Sequence, residues 1–252
     1  MGRRKKTAAD VTTSVPRYRA GAGLNKLRIQ AASDPAGVPL MDCSTATTNP
    51  ERVEVVFDGL EARLVKEIGQ HPAVVGCVAW LTSKPILRAM ATRECVSFVV
   101  QKEDFLRPDS RGNNDALRGL YSDLPRGDRL QADLGLSHIS FAVDPGYEAV
   151  RCLGNHNSNK KPAWPRMHHK FAVFLDYVHF PQYDDAALSP MAVWTGSYNW
   201  SHNASESLEN AVLIHDAEIA RAYFQEWGQL MALSEPLDWE SVWCAPEWRI
   251  GS

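Results

Sequence analysis

The stretch AVVGCVAWLTSKPILRAMATRECVSFVVQ, residues 73–101, decides the fold. It opens with an uninterrupted apolar run, continues with a segment of helical spacing behind a serine and a proline, and ends in a second apolar run. Serine before a helix and proline in its first turn are typical of a helix start. Buried strands joined by a helix pair in parallel through a right-handed crossover. The stretch therefore predicts an α/β domain.

The segments on both sides extend this pattern. Upstream, VEVVF (residues 53–57) predicts a strand and GLEARLVKEIGQ (residues 59–70) predicts an amphipathic helix. Downstream, the sequence predicts strands at residues 138–143, 148–153, 167–175, 191–199 and 208–214, and an amphipathic helix at residues 216–233. The expected fold is an α/β/α sandwich with a mixed, largely parallel central sheet that is covered on both faces.

Composition divides the chain into three parts. Residues 1–50 read as a basic, irregular N-terminal arm, residues 51–235 as the folded domain, and residues 236–252 as a Trp-rich C-terminal tail. Residues 1–30 hold eight lysines and arginines against one aspartate, a net charge of +7, which leaves −10 for the rest of a chain of net charge −3. Such an arm is either a solvated, disordered tail or a phosphate-backbone contact. The tail is expected to dock on the domain or on a second subunit, because exposed tryptophans are costly.

Several classes are disfavoured by the sequence. No apolar run reaches the ~20 residues of a membrane span, and MGRRKKTAAD lacks the apolar stretch of a signal peptide. The five cysteines are scattered without metal-type spacing and favour a reducing compartment. We therefore expect a cytoplasmic protein without a membrane anchor.

Two polar clusters stand in predicted strands, in PRMHHKFAVFLDY (residues 165–177) and WTGSYNWSHNASESLENAVLI (residues 194–214). Side chains alternate along a strand, so His168 and Lys170 share one face and His169 turns to the other. The same rule pairs two further polar side chains, Ser197 and Asn199. Histidine is a nucleophile that can form a phosphoenzyme, while lysine, hydroxyl and amide groups stabilise phosphate oxygens. The combination suits a phosphodiester.

These residues resemble the signature of the phospholipase D superfamily: His-x-Lys with a following Asp, then Gly-Ser-x-Asn leading to a Glu-Asn pair. The single-HKD-motif branch, with bacterial endonuclease-like and mitochondrial cardiolipin hydrolase-like proteins, is the most similar. The likeness covers residues 52–232 in element order and is specific only between residues 165 and 214. It implies His168 as the nucleophile, a hydrogen bond from the catalytic imidazole to the Glu209 carboxylate, and phosphate binding by Lys170, Ser197 and Asn199.

The resemblance also implies the assembly and the chemistry. The family uses two such motifs per active site, whereas this chain has one, so a homodimer is implied with the site on its two-fold axis. The second His168 would then be the general acid. Such chemistry uses no metal and no other cofactor. A metal site from His168, His169, Asp176 and His179 is the alternative, but these residues lack compact ligand spacing.

One position departs from the family pattern. Five residues separate Lys170 from Asp176, where the family has four. A shift of one residue turns a strand side chain to the opposite face. Either a β-bulge restores Asp176 to a supporting role, or that role is vacant.

The polar segment GNHNSNKKPAWPR, residues 154–166, leads into the first cluster. It is either a solvated connection or a substrate-binding loop. In the second interpretation, Trp164 offers a stacking surface for an unpaired base. The polar and basic side chains that would contact substrate phosphates are Asn155, Lys160, Lys161 and Arg166.

The sequence therefore predicts a metal-independent phosphodiesterase. The basic arm, the lysine-rich loop and the absence of a membrane anchor favour a nuclease acting on DNA or RNA. One alternative is a phospholipase-type hydrolase or transferase acting on phospholipid diesters. Another is a non-catalytic, nucleic-acid-binding dimer of the same fold.

Overall fold

The structure is a computed structural model that describes residues 45–49, 52–102, 114–126, 130–133, 140–143, 146–154, 166–180 and 185–237. Its strands are β1 Thr45–Asn49, β2 Val53–Val56, β3 Ala73–Val78, β4 Cys95–Gln101, β5 Leu130–Asp133, β6 Ser140–Val143, β7 Val150–Leu153, β8 Lys170–Phe180, β9 Asp185–Gly196 and β10 Ala211–Ile214. Its helices are α1 Leu60–Ile68, α2 Lys84–Met90, α3 Asn114–Ser122, α4 His202–Ser205 and α5 Ala217–Ala232. The three tryptophans of the predicted tail lie outside the described residues.

A mixed eight-stranded sheet forms the centre of the fold, in the order β1-β2-β10-β9-β8-β3-β4-β7. The pairs β3–β4 and β4–β7 are parallel, and the other five neighbouring pairs are antiparallel. The mixed sheet is confirmed, but the prediction that it is largely parallel is wrong. Only residues 181–184 connect β8 to β9, which is too short for a crossover, so these strands pair antiparallel. Strands β5 and β6 form a separate antiparallel pair.

Helices cover both faces of the central sheet, as predicted. On one face, α1, α2 and α3 pack on alternate residues of β3 and β8, such as Val74 and Phe174. On the other face, α5 places Phe224 and Trp227 against the intervening residues. This two-sided cover explains why every residue of β3 is buried. None of the helices among the described residues is long and apolar enough to cross a membrane.

Side chains cap the starts of two helices where the sequence predicted them. The Ser83 hydroxyl accepts the Ile86 N–H at 3.3 Å at the start of α2. The Asp216 carboxylate accepts the N–H groups of Glu218 and Ile219 at 3.0 and 3.1 Å at the start of α5. Each cap satisfies backbone donors that have no partner within the helix.

The sheet begins earlier in the chain than the sequence indicated. Strand β1, residues 45–49, pairs antiparallel with β2 and forms one edge of the central sheet. These residues fall within the arm that was predicted to be irregular as far as residue 50. The segment TATTN is rich in β-branched threonine, which suits a strand. The first 44 residues lie outside the described residues.

A chain of charged side chains links α1 to β8. His71 Nδ1 lies 2.9 Å from Asp176 Oδ1, and its Nε2 lies 3.2 Å from Glu67 Oε1. Glu67 also accepts from Arg63 at 2.8 Å, and Arg63 pairs with Glu54 at 2.7 Å. Glu67 is almost completely buried, so the two cations beside it compensate its negative charge. The network ties the end of the first helix to the far part of β8.

We expect His71 to make stability depend on pH. Burial acts to lower the pKa of His71, but hydrogen bonds and charges from Glu67 and Asp176 outweigh burial and raise it. The folded state thus holds this proton more tightly than the unfolded chain. The contribution of His71 is therefore complete below about pH 6.5 and is lost as the pH rises through the raised pKa.

Urea unfolding of the wild type and His71→Gln, followed by circular dichroism, measures this effect. The difference in unfolding free energy between the two proteins should be largest on the acid side of neutrality and shrink toward pH 8. His202→Gln, at an exposed residue of α4, is the matched control. A His71→Gln difference that stays constant with pH would show that the network does not stabilise the protonated form.

Candidate active site

The sequence-predicted site residues gather at one end of the central strands. Strand β8 begins at Lys170, β9 ends at Gly196, and β10 begins at Ala211, which pairs with Gly196. Because β8, β9 and β10 alternate in direction, these three strand ends lie at the same edge of the sheet. The residues placed there are His168 and Lys170 at the start of β8, Ser197 and Asn199 after β9, and Glu209 before β10.

Lys170 is a buried lysine at this edge, with only 8% of its surface exposed. Its Nζ donates a hydrogen bond to the His168 carbonyl oxygen at 2.9 Å. Burial lowers the pKa of Lys170, the nearby charge of Glu209 acts to raise it, and the charge of Arg166 lowers it further. A buried ammonium group without a full counter-charge is suited to bind an anion.

His168 is exposed, and its pKa is lowered. Partial burial is the main cause, and the positive charges of Lys170, Arg166 and His169 act in the same direction. The lowered pKa favours the neutral imidazole, which carries the free lone pair that a nucleophile needs.

Ser197 and Glu209 are directly bonded to each other. The Ser197 hydroxyl donates a short hydrogen bond to Glu209 Oε2 and accepts the Asn210 N–H at 3.1 Å. The resemblance implied a hydrogen bond from the catalytic imidazole to the Glu209 carboxylate, whereas among the described residues the donor to Glu209 is the Ser197 hydroxyl. The carboxylate therefore orients the serine hydroxyl and places a negative charge close to Lys170.

Gly196 allows β9 and β10 to approach each other closely beside the Ser197–Glu209 hydrogen bond. A Cβ at this position would lie 2.2 Å from the Asn210 carbonyl oxygen and 2.7 Å from the Ala211 Cα. Any larger residue would therefore push β10 away and separate Ser197 from Glu209. The group that approaches this glycine is the backbone of β10.

Asn199 carries a buried acceptor. Its Oδ1 has no hydrogen-bond partner among the described residues. The backbone of the neighbouring Trp200 is fixed to the segment after β3. Its backbone N–H donates to the Trp80 carbonyl at 3.0 Å, and its backbone carbonyl accepts the Thr82 N–H at 2.7 Å. An unpaired buried acceptor destabilises the folded protein. A hydrogen bond from a donor on a bound group, or from a protonated histidine, would remove this cost.

His169 faces away from this cluster. Its Nε2 lies 3.3 Å from Glu226 Oε1 on α5, and its ring meets the edge of the Phe171 ring at 5.7 Å between centroids. This direction agrees with the alternation expected from the sequence, although β8 itself begins only at Lys170.

Asp176 also lies away from the cluster. Strand β8 pairs with β3 without interruption from Lys170 to Leu175, so Asp176 stands six residues along the strand, ~20 Å away, against His71. The β8–β9 ladder does contain a bulge, but its extra residue is Met191 in β9. The bulge therefore leaves β8 regular and does not bring Asp176 to the site.

The predicted substrate loop is described only at its end. Arg166 is exposed and lies close enough to His168 and Lys170 to lower the pKa of both. The other four predicted loop residues lie outside the described residues: Asn155, Lys160, Lys161 and Trp164.

The sequence analysis missed Trp80, which is 39% exposed at the same edge. Its carbonyl accepts the Trp200 N–H, and the N–H of the preceding Ala79 donates to the His169 carbonyl at 3.0 Å. Trp80 is thus held between the two sequence motifs. The apolar run that ends in AWL predicted a wholly buried strand. The available signal was an aromatic residue at the carboxyl end of a central strand, where α/β folds bind ligands.

The alternative metal site is not assembled in the structure. Among the described residues there is no group of three or more histidine, cysteine, aspartate or glutamate side chains placed to hold a metal ion. His169 lies against Glu226 on α5, and Asp176 bonds to His71. The cluster instead combines an imidazole, an ammonium group, a hydroxyl and a carboxylate, which can perform nucleophilic and acid–base chemistry on a phosphate.

Sequence comparisons identify related proteins. Residues 141–231 match the family model described as the phospholipase D-like domain of cardiolipin synthase. The chain is 30% identical over 196 residues to protein L381 of Acanthamoeba polyphaga mimivirus, an alignment that covers 73% of this chain and 67% of the viral protein.

Two solved structures are also similar. NucT from Helicobacter pylori has 15% identity and a TM-score of 0.47, with 73% of this chain and 98% of that chain covered. Nuc from Salmonella typhimurium, a phospholipase D family member, has 16% identity and a TM-score of 0.43, with 73% of this chain and 95% of that chain covered. Both identities are below 25% and both TM-scores are below 0.5, so nothing is concluded about this chain from these two structures.

Proposed function

Because the chain belongs to the phospholipase D superfamily of phosphodiesterases, we propose that it is a metal-independent nuclease that cleaves DNA or RNA through a phosphohistidine. The observation that carries this proposal is the cluster at the sheet edge. There, His168 has a lowered pKa, beside the buried ammonium of Lys170 and the Ser197 hydroxyl that Glu209 orients.

In the proposed reaction, a neutral imidazole nitrogen of His168 attacks phosphorus. The new P–N bond forms as the P–O bond to the leaving group breaks, and the leaving oxygen takes a proton from a second histidine. Lys170 stabilises the charge on the non-bridging oxygens. Water then attacks the phosphohistidine, assisted by the same second histidine as general base, and restores the free imidazole.

The second histidine is proposed to come from a second copy of the chain. One chain carries a single His-x-Lys motif, and the other described histidine beside it, His169, is turned toward α5. In a homodimer with both motifs on the two-fold axis, the partner's His168 supplies the proton. The exposed position of His168 is compatible with such a shared site.

Nucleic acid is the proposed substrate class because the site edge combines positive charge with an exposed aromatic ring. Arg166 and Lys170 provide the charge, and Trp80 provides a face on which a base can stack. The basic N-terminal sequence adds to the positive charge of the chain. Phospholipid diesters share the reacting phosphate but offer no base for Trp80, so lipid hydrolysis is the second candidate.

A substrate panel in EDTA tests this proposal. Single- and double-stranded oligonucleotides of DNA and RNA, cardiolipin vesicles and methyl p-nitrophenyl phosphate would be compared. We expect oligonucleotide cleavage that persists in EDTA. Cleavage restricted to the vesicles would favour the phospholipase alternative. Oligonucleotide binding without cleavage of any diester would favour a non-catalytic binding module.

Trp80→Ala is expected to weaken the use of oligonucleotides selectively. Losing one base–aromatic stack costs about 1–3 kcal/mol, so KM for a single-stranded oligonucleotide should rise about 5- to 150-fold. The kcat/KM for methyl p-nitrophenyl phosphate, which has no nucleobase, should change less than about three-fold. Trp80→Phe keeps an aromatic face and is the matched control. Equal losses on both substrates would show that Trp80 supports the site rather than binding a base.

A further inference from the structure

Gln101 is a buried polar residue that bonds to the segment carrying His168. It is the last residue of β4 and is fully buried. Its Oε1 accepts the Met167 N–H at 2.7 Å, and its Nε2 donates to the Lys102 carbonyl oxygen at 3.2 Å. Met167 immediately precedes His168, so a side chain from a strand beyond β3 fixes the backbone next to the proposed nucleophile.

The same amide also contacts Gly154, one residue beyond β7. Gly154 has a φ of +97°, and a Cβ there would lie 2.3 Å from Gln101 Oε1. Only a residue without a side chain allows the backbone to pass this close to the amide. Gly154 and Met167 bracket residues 155–166, so both ends of the predicted substrate loop meet at one side chain.

His168 depends on such contacts because it lies outside the strand ladder. Strand β8 begins at Lys170, and no strand is assigned at residues 166–169. Backbone hydrogen bonds hold the chain on both sides of His168. The Met167 N–H donates to Gln101, and the His169 carbonyl accepts the Ala79 N–H at 3.0 Å.

We propose that Gln101 is a positioning residue that holds His168 in line with Lys170 and Ser197. This inference rests on the proposed function of the His168 cluster. Gln101 acts through the Met167 N–H and does not touch the reacting phosphate. A displacement of about 1 Å in a reacting group costs on the order of 100-fold in rate, so loss of this hydrogen bond should affect kcat more than substrate binding.

Two substitutions at position 101 test whether the side-chain oxygen that accepts the Met167 N–H is needed. Gln101→Leu removes the acceptor, and we expect kcat for methyl p-nitrophenyl phosphate to fall about 10- to 100-fold, with KM changed less than about three-fold. Gln101→Glu retains an oxygen that faces Met167, and it should recover most of the lost kcat. Val96→Ala is the matched control, because it opens a cavity in the same strand but in the hydrophobic cluster of the opposite face from Met167, and it should keep the wild-type kcat while folded.

A spectroscopic readout tests the position of His168 without relying on activity. The imidazole proton signal of His168, assigned by its loss in His168→Ala, would be titrated by NMR. In the wild type and in Gln101→Glu, the pKa should be lowered as the structure indicates, whereas in Gln101→Leu it should move back toward the ordinary value. If the wild type cleaves no diester, the proposed function fails, while this titration still tests Gln101.

The outcomes are decisive in either direction. A Gln101→Leu protein with wild-type kcat and an unmoved His168 titration overturns the proposal, as does an equal loss of kcat in Val96→Ala. If Gln101→Leu does not fold, Gly154→Ala replaces it, because the added Cβ displaces the amide without changing the residue at position 101. Gly154→Ala should then lower kcat and move the His168 titration, and a folded Gly154→Ala protein that does neither contradicts the proposal.

Discussion

His168→Ala is expected to lower kcat for every cleaved diester by about 10⁴-fold or more, the scale of removing a catalytic nucleophile. No other described imidazole at this edge can take its place, because the ring of His169 is held 3.3 Å from Glu226 on the α5 side. His168 is exposed, so the variant should retain the folding stability of the wild type. The measurement is steady-state cleavage in EDTA, with thermal unfolding as the check on folding.

His169→Ala is the matched control for this prediction. It removes the same side chain from the adjacent position, and its loss affects a partly exposed ion pair. Such pairs contribute little, so kcat should change less than about ten-fold. Equal losses in the two variants would overturn the assignment of the nucleophile.

Mixed dimers extend the test to the shared site. In a dimer with one wild-type and one His168→Ala chain, either the nucleophile or the general acid is missing. Tagged heterodimers isolated after co-expression should therefore be nearly inactive. Half of the wild-type activity in the heterodimer, or full activity in a species that light scattering shows to be a monomer, would refute a site built from two chains.

Lys170→Met is expected to lower kcat/KM by about 10³-fold. The methionine keeps most of the apolar stem but removes the ammonium group that neutralises the phosphate oxygens, an electrostatic contribution of a few kcal/mol in a partly buried site. The folded protein should be as stable as the wild type or more stable, because burial of the ammonium, which lowers its pKa, is no longer required. Activity and stability would then change in opposite directions.

Lys66→Met is the matched control for the charge. Lys66 lies exposed on α1, so its replacement removes the same positive charge from the chain without touching the cluster. Diester cleavage and thermal unfolding measure both variants. A Lys170→Met protein that keeps more than about a tenth of the wild-type kcat/KM would contradict the role of Lys170.

Local patterns in the sequence were sufficient for most elements of the fold. Serine and aspartate caps marked the starts of α2 and α5, and the continuous apolar run at residues 73–81 indicated a strand covered on both faces. The direction of strand pairing was not available from such patterns. A sequence predicts where a strand lies, but parallel or antiparallel pairing depends on how the strands are connected. The sequence analysis did not identify the short connection between β8 and β9 as a hairpin, so it did not predict that these strands pair antiparallel.

Strand alternation was enough to predict that the side chains of His168 and His169 point in opposite directions, because this prediction needs only the two-residue period of a strand. To predict the position of Asp176, one must know the register of β8 against β3. To predict the bond between Ser197 and Glu209, one must know that β10 approaches Gly196. Gln101 gave no signal at all, since a polar residue at the end of an apolar strand is common. These features depend on contacts between segments that are far apart in the chain, and such contacts cannot be predicted from the local patterns of a single sequence.

Detection of a covalent intermediate tests the central claim most directly. The protein would be mixed with a labelled oligonucleotide in EDTA, quenched in alkaline denaturant within a turnover, and the peptide containing residues 165–177 fragmented by mass spectrometry. The proposed mechanism predicts an oligonucleotide phosphate joined to His168 through a P–N bond in the wild type and in His169→Ala, and none in His168→Ala. Cleavage that stops in EDTA, or an adduct on His169, would contradict it.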